Sequence, residues 1–207
     1  MAGMLGTYFL HELNSAPWGI PQLRNIEEIG CSVGTNTGTR RSRNEDRFAV
    51  GRVSAVSGEV YALAVLCDGV GGSLRGDEAA ASAIAFLTEE LACLIAVEPL
   101  GKIVDRVLRR VDDRVRSSLN GQGVTTISLI IATSSGDVIA ANVGDSRIFA
   151  VDKLNKALVQ LSVDDTMENA LKDLVNDVSA INAKGLGGSL SQAIGEAALN
   201  NPDTQHS

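Results

Sequence analysis

The chain switches between two hydrophobic periods, and the switches predict its elements. Short apolar stretches come first. Residues 28–33 and 47–53 each read as a strand, and 60–67 (VYALAVLC) is an unbroken apolar run stopped by Asp68-Gly69. Such a run suits a strand buried on both faces. The period then lengthens. Residues 76–97 are rich in Ala and Leu, and 101–119 place Ile103, Val107, Leu108, Val111, Val115 and Leu119 on one stripe opposite Lys and Arg, which predicts two helices with a core-facing side. Gly121-Gln122-Gly123 breaks that pattern, and strands follow at hairpin spacing over 125–133, 138–142 and 147–152, the first two joined by Ser134-Ser135-Gly136-Asp137, a turn by composition. A further strand at 157–161 leads into a helix at about 165–176, capped by Asp164 or Asp165. Strands, two helices and more strands predict an α+β class with layered packing. Residues 1–27, with Pro17 and Pro21 and no sustained period, read as a lead-in, 28–200 as the domain, and 201–207 as a tail.

Composition changes this picture little. With 207 residues, 44% hydrophobic and 21% charged, the chain is an ordinary globular one with room for a sizeable core. Aromatics are only 3%, so Ala, Val, Leu and Ile must fill that core. The formal charge of −7 argues against nucleic acid as a partner, since phosphate backbones reward clustered Lys and Arg. A phosphorylated substrate stays possible if metal ions supply local positive charge. Cys31, Cys67 and Cys93 form no C-x-x-C pair, which speaks against structural zinc or a disulfide framework and for a reducing, cytoplasmic setting. The first residues make a poor secretion signal. The most apolar stretch, 79–97, is interrupted by Glu89 and Glu90 and reads as a core helix, not a membrane span.

Three polar breaks carry candidate chemistry. In Asp68-Gly69-Val70-Gly71-Gly72 an Asp ends a buried strand while glycines let the backbone approach a ligand. Carboxylate and carbonyl oxygens are what Mg²⁺ and Mn²⁺ prefer. The same residues also make a plain turn. A phosphate-cradling P-loop fits worse, because no Gly-Lys-Ser/Thr follows. Residues 38–46 (GTRRSRNED) set guanidiniums beside Glu45 and Asp46, so that arginine can hold phosphate bidentately while the carboxylates hold metal. A solvated charged loop is the alternative there. Asn142-Val143-Gly144-Asp145-Ser146-Arg147 is a third break, and by itself it reads as a hairpin turn.

Taken in order, R-x-x-N-E-D, strand-D-G-x-G-G-x-x-x-G, G-x-T-T, N-V-G-D-S-R and Leu190-Ser191-Gln192-Ala193-Ile194-Gly195 resemble the PPM family of metal-dependent, type 2C Ser/Thr protein phosphatases and their bacterial relatives. The resemblance runs from about Gly30 to Gly195. It implies a four-layer αββα sandwich and hydrolysis of phosphoserine and phosphothreonine in a phosphorylated protein substrate by a water activated on two Mn²⁺ or Mg²⁺ ions. It further implies that Arg41 clamps the substrate phosphate, Asp68 bridges two metals, and the Gly69 carbonyl together with Glu45 and Asp46 serves one of them. Asp145 then belongs to a third, weaker metal position. His11 and His206, which fall in the lead-in and the tail, have no part in such a mechanism.

Members of that family continue past the last motif into S-D-G and D-N segments, whose aspartates complete the metal shell. Here twelve residues follow Gly195 and neither segment occurs. The expectation is therefore a sandwich missing its last strands, with an incomplete metal centre. Ser162-Val163-Asp164-Asp165 also departs from the family's T-x-D-H. Two other functions stand beside hydrolysis. One is a catalytically silent module that recognises a phosphoprotein or partner through the Arg41 region. The other is a serine hydrolase using Gly144-Asp145-Ser146 with Asp203 and His206, similar to the G-D-S and D-x-x-H blocks of GDSL esterases.

Overall fold

In a computed structural model the protein is described over residues 22–26, 30–70, 75–172, 188–196 and 203–206. Strands β1 (Gln22–Ile26), β2 (Cys31–Thr35), β3 (Asp46–Ser54) and β4 (Val60–Asp68) precede helices α1 (Gly76–Ala92) and α2 (Leu100–Ser118). Strands β5 (Ile127–Ala132), β6 (Val138–Val143), β7 (Phe149–Asp152) and β8 (Ala157–Gln160), helix α3 (Met167–Leu171) and strand β9 (Asp203–His206) follow. The main sheet runs β3-β4-β5-β6-β9, antiparallel throughout, and β1–β2 and β7–β8 form separate two-stranded ribbons. The class is α+β, as the sequence pattern predicts.

The helices cover one face of the main sheet. Tyr61, Leu63, Val65 and Cys67 alternate inward along β4, and Ile127, Leu129 and Ile131 do the same along β5, the period of two expected of a pleated strand. Against them α1 lays Ala79, Ala80 and Ala83, all fully buried, small side chains that let the helix approach the sheet closely. Further along, Leu87 and Leu91 of α1 join Val104, Leu108 and Val111 of α2 in the same core. The opposite face keeps Leu66 and Ile130 part-exposed. β4 is thus covered on one face only. No helix among the described residues is long and apolar enough to cross a membrane.

Several boundaries differ from the expectation, each for a local reason. Helix α1 stops at Ala92, not at residue 97, and the β3–β4 turn is tied to its end: Val56 N–H donates to Ala92 O, and Ser57 N–H to Leu94 O just beyond it. Pro99 then opens α2 and biases the residue before it away from helix. Helix α3 is capped by Thr166, whose hydroxyl accepts from Asn169 N–H, and not by Asp164 or Asp165. Asp164 is held by Arg147 and Gln160, and Asp165 by Gly144 N–H and Gln192. The rest of that expected helix, from residue 173, lies outside the described residues. Arg147, turned toward Asp164, leaves β7 to begin at Phe149.

Both outer boundaries of the expected domain also move. Strand β1 falls in the segment read as a lead-in and pairs with β2. Strand β9 falls in the segment read as a tail and pairs with β6, Asp203 opposite Asn142 and His206 opposite Ile139. An edge strand such as β6 offers a row of unpaired backbone groups, and β9 satisfies them. His11 lies outside the described residues.

Candidate metal centre

The antiparallel register of β3 and β4 makes Asp46 and Asp68 direct partners at one end of the main sheet. Here two carboxylates that are distant in sequence face each other. Glu45 is tied to the same place by its carbonyl, which accepts from Gly69 N–H at 3.3 Å. Arg41, Glu45, Asp46, Asp68 and Gly69 line one cavity of about 170 Å³ at this end of the sheet. The Arg41 side chain is 63% exposed and its guanidinium reaches Glu45 at 3.7 Å, which places it at the solvent side of the cavity.

A hydrogen-bonded frame holds each acid. Asn44 accepts from Asp46 N–H through its side-chain oxygen and donates to the Thr35 hydroxyl. Arg47 donates to the carbonyls of Asn44 and Asp46 at 3.0 and 2.9 Å and reaches Asp77 of α1 at 3.6 Å. Arg43 pairs with the same Asp77. The loop bearing Glu45 and Asp46 is thereby fastened to the start of α1. Asp68 is fastened from the other side. Its N–H donates to the Thr126 hydroxyl, and its carbonyl accepts from Thr126 N–H and from the Thr125 hydroxyl.

Gly69 shows why a glycine follows Asp68. A Cβ there would stand 2.5 Å from the carbonyl carbon and oxygen of Gly76, inside any real contact distance. The turn after β4 packs backbone to backbone on the first turn of α1, and only glycine permits that approach.

Electrostatically the site is strained. Burial, first, and the facing Asp46 carboxylate, second, push the Asp68 carboxyl up from 3.8 to about 6, with a smaller push from Asp145 and a small opposing pull from Arg41. Like charges this close cannot both ionise without cost, and a protonated Asp68 donates to Asp46. A divalent cation between them removes the repulsion and matches their oxygen chemistry. The pair therefore fits such an ion. Among the described residues, no group of three or more His, Cys, Asp and Glu side chains is placed to hold a metal ion; what those residues supply here is the facing pair. Asp145 is exposed in the turn after β6, near enough to act on Asp68 but outside the cavity lining.

The turn carrying Asp145 has its own frame: Asn142 donates to Gly144 O, and Gly144 N–H donates to Asp165. The Ser146 hydroxyl is shared with Thr126 at 2.8 Å. The backbone of His206 is opposite Ile139, at the far end of β6 from Gly144–Ser146, a register that does not favour the serine-hydrolase arrangement. Cys31, Cys67 and Cys93 are free thiols. The roles of Thr126, Arg47 and Asp77 escape a reading of the sequence. The acidic first turn of α1 hints at Asp77 and the G-x-T-T motif contains Thr126 without giving its role, while nothing local marks Arg47.

The profile of the protein phosphatase 2C family matches residues 33–181, well over half of the chain. The chain belongs to that family. A curated relative, the serine/threonine phosphatase stp of Listeria monocytogenes serotype 4b, is 29% identical to this type 2C chain over 146 residues, 66% of this chain and 55% of the relative. The chain thus spans about half the length of the curated relatives it matches. Among solved structures, serine/threonine phosphatase Stp1 from Staphylococcus aureus superposes with a TM-score of 0.65 at 20% identity, over 94% of this chain and 74% of that one. The catalytic domain of the serine/threonine protein phosphatase PstP, in complex with two manganese ions, gives a TM-score of 0.57 at 19% identity over 90% and 71%. At these identities the two structures establish the type 2C fold and nothing finer.

Proposed function

We propose that this chain carries the amino-terminal part of a two-metal phosphatase centre and hydrolyses phosphoserine and phosphothreonine in a protein substrate with Mn²⁺ or Mg²⁺. The observation that carries the reading is the facing of Asp46 and Asp68 in a cavity that Arg41 also lines. Family membership and the manganese-bound relative support it. Asp46 and Asp68 would hold the metal pair, with the Gly69 carbonyl and Glu45 beside them and Asp145 serving a further, weaker position. When bound, the ions lower the pKa of water and neutralise charge on the phosphoryl group.

The chain's own residues do the rest. Arg41 binds two phosphoryl oxygens and orients the ester for in-line attack, a geometry its planar fork suits. Asn44 and Arg47 keep the Asp46 backbone in place, and Thr125 and Thr126 keep that of Asp68. The setting is a reducing cytoplasm, which the three free thiols suit, and the role is in phosphorylation signalling.

The test is turnover of p-nitrophenyl phosphate and of a phosphothreonine peptide in Mn²⁺, with Asp68→Ala as control. Manganese-dependent hydrolysis lost in the variant supports the reading. Peptide binding without hydrolysis makes the chain a silent recognition module, and the absence of both refutes the site.

A further inference from the structure

Asp112 is a charged residue on the buried face of α2, 1% exposed, with no role in the proposed hydrolysis. It follows Val111 and precedes Val115 by three positions, both in the core. A carboxylate placed there is costly unless it satisfies something specific. It accepts from Gly195 N–H at 2.7 Å, while Arg116 stands 3.8 Å away and makes its closer pair with Asp113. Gly195 is at φ +95°, and a Cβ on it would lie 2.7 Å from Gly123 O and 2.9 Å from Val115. The segment is thus seated against α2 in one position.

That segment leads directly to the candidate centre. Ile194, fully buried, exchanges both backbone hydrogen bonds with Thr125, at 3.0 and 2.8 Å. Thr125 in turn donates from its hydroxyl to Asp68 O, and Thr126 N–H donates to the same carbonyl. A continuous path, made of hydrogen bonds and the one peptide link between Gly195 and Ile194, therefore runs from Asp112 through Gly195, Ile194 and Thr125 to the backbone of Asp68.

We propose that Asp112 is a positioning residue for the metal centre: it latches 193–195 onto α2, and that segment braces the strand holding Asp68. The inference rests on the metal-centre reading of Asp68. The latch needs the acceptor oxygen on Asp112, not its charge. Asp112→Asn keeps an oxygen for Gly195 N–H, whereas Asp112→Leu fills the same buried space without one. Replacing a buried charge by a well-packed apolar side chain is often neutral or stabilising, so the leucine variant separates positioning from folding.

The experiment titrates Mn²⁺ into the full chain, following the free ion by electron paramagnetic resonance. It is paired with amide hydrogen exchange at Thr125 and Thr126 in the metal-free protein. Asp112→Leu is expected to melt within a few degrees of wild type while binding Mn²⁺ about tenfold more weakly and exchanging both amides faster. Asp112→Asn restores both readouts, and Val104→Ala, a core truncation elsewhere on α2, lowers the melting temperature without changing Mn²⁺ affinity. Wild-type affinity in Asp112→Leu, or equal weakening in Asp112→Asn, overturns the latch. If Asp68→Ala binds Mn²⁺ as wild type does, or neither binds it, the metal-centre reading fails instead. The latch is then judged by exchange alone, and unchanged rates in Asp112→Leu overturn it.

Discussion

Replacing Asp68 by Asn should stabilise the metal-free protein at neutral pH while removing its response to metal. The carboxyl is raised from 3.8 to about 6 by burial and by Asp46, so between those values the folded protein holds a proton that the unfolded chain has released. Stability from this group is fully present below about pH 4 and is lost as pH rises through about 6. The asparagine amide keeps a donor for Asp46 and never ionises, so the variant holds the low-pH state at all pH values. A shift of this size corresponds to about 3 kcal/mol at 1.36 kcal/mol per unit. The Asp68 side chain is only partly sunk in the cavity and keeps part of its surface open to solvent, and solvent screening reduces that to about 1 kcal/mol. Urea titrations in EDTA between about pH 4 and pH 8 measure it. The variant should match wild type at the acid end and exceed it by about 1 kcal/mol at the alkaline end. Saturating Mn²⁺ should reverse the order, because only wild type gains binding energy. A variant less stable than wild type at pH 8 without metal, or a difference independent of pH, refutes the facing-carboxylate argument.

Three other substitutions test separate parts of the account. Arg41→Ala removes a bidentate, charge-assisted contact and should raise KM for p-nitrophenyl phosphate about tenfold, with Mn²⁺ affinity nearly unchanged because the Glu45 contact is long; an unchanged KM removes Arg41 from phosphate binding. Gly69→Ala drives a Cβ into the Gly76 backbone and should destabilise the fold by about 2 kcal/mol or more, read as a lowered urea midpoint together with weakened Mn²⁺ binding. Tyr61→Phe deletes a fully buried hydroxyl that has no hydrogen-bond partner among the described residues. It should leave stability unchanged or raise it by about 1 kcal/mol, and a loss of that size would show that the hydroxyl is satisfied in solution.

Much of the main sheet and both long helices were legible because their signal is local. The apolar run of β4 and the stripe on α2 each fit within twenty residues, although that run predicts a strand buried on both faces and the structure buries mainly Tyr61, Leu63, Val65 and Cys67 on one of them. Asp68 was legible as an acid beside glycines, Glu45 and Asp46 as acids beside arginines, and the ordered motifs pointed to the family. Ends were less legible. The end of α1 meets a partner that local spacing does not reveal: Val56, more than thirty residues earlier in the chain, donates to the carbonyl of its last residue, Ala92. The cap of α3 fell to Thr166 because Arg147 and Gly144 had already taken the two aspartates that local rules favour.

The sequence by itself determined which segments are extended, which are helical and which residue types are available for chemistry, since all three depend on side-chain properties and short-range spacing. Tertiary structure decided what faces what. The register of β3 on β4 sets Asp46 against Asp68 and so creates the repulsion that a cation relieves. The docking of 193–195 on α2 turns Asp112, a mere irregularity in an apolar stripe, into a support for that pair. Pairing across the sheet depends on which backbone groups remain unsatisfied once everything else has packed, and no single segment contains that information.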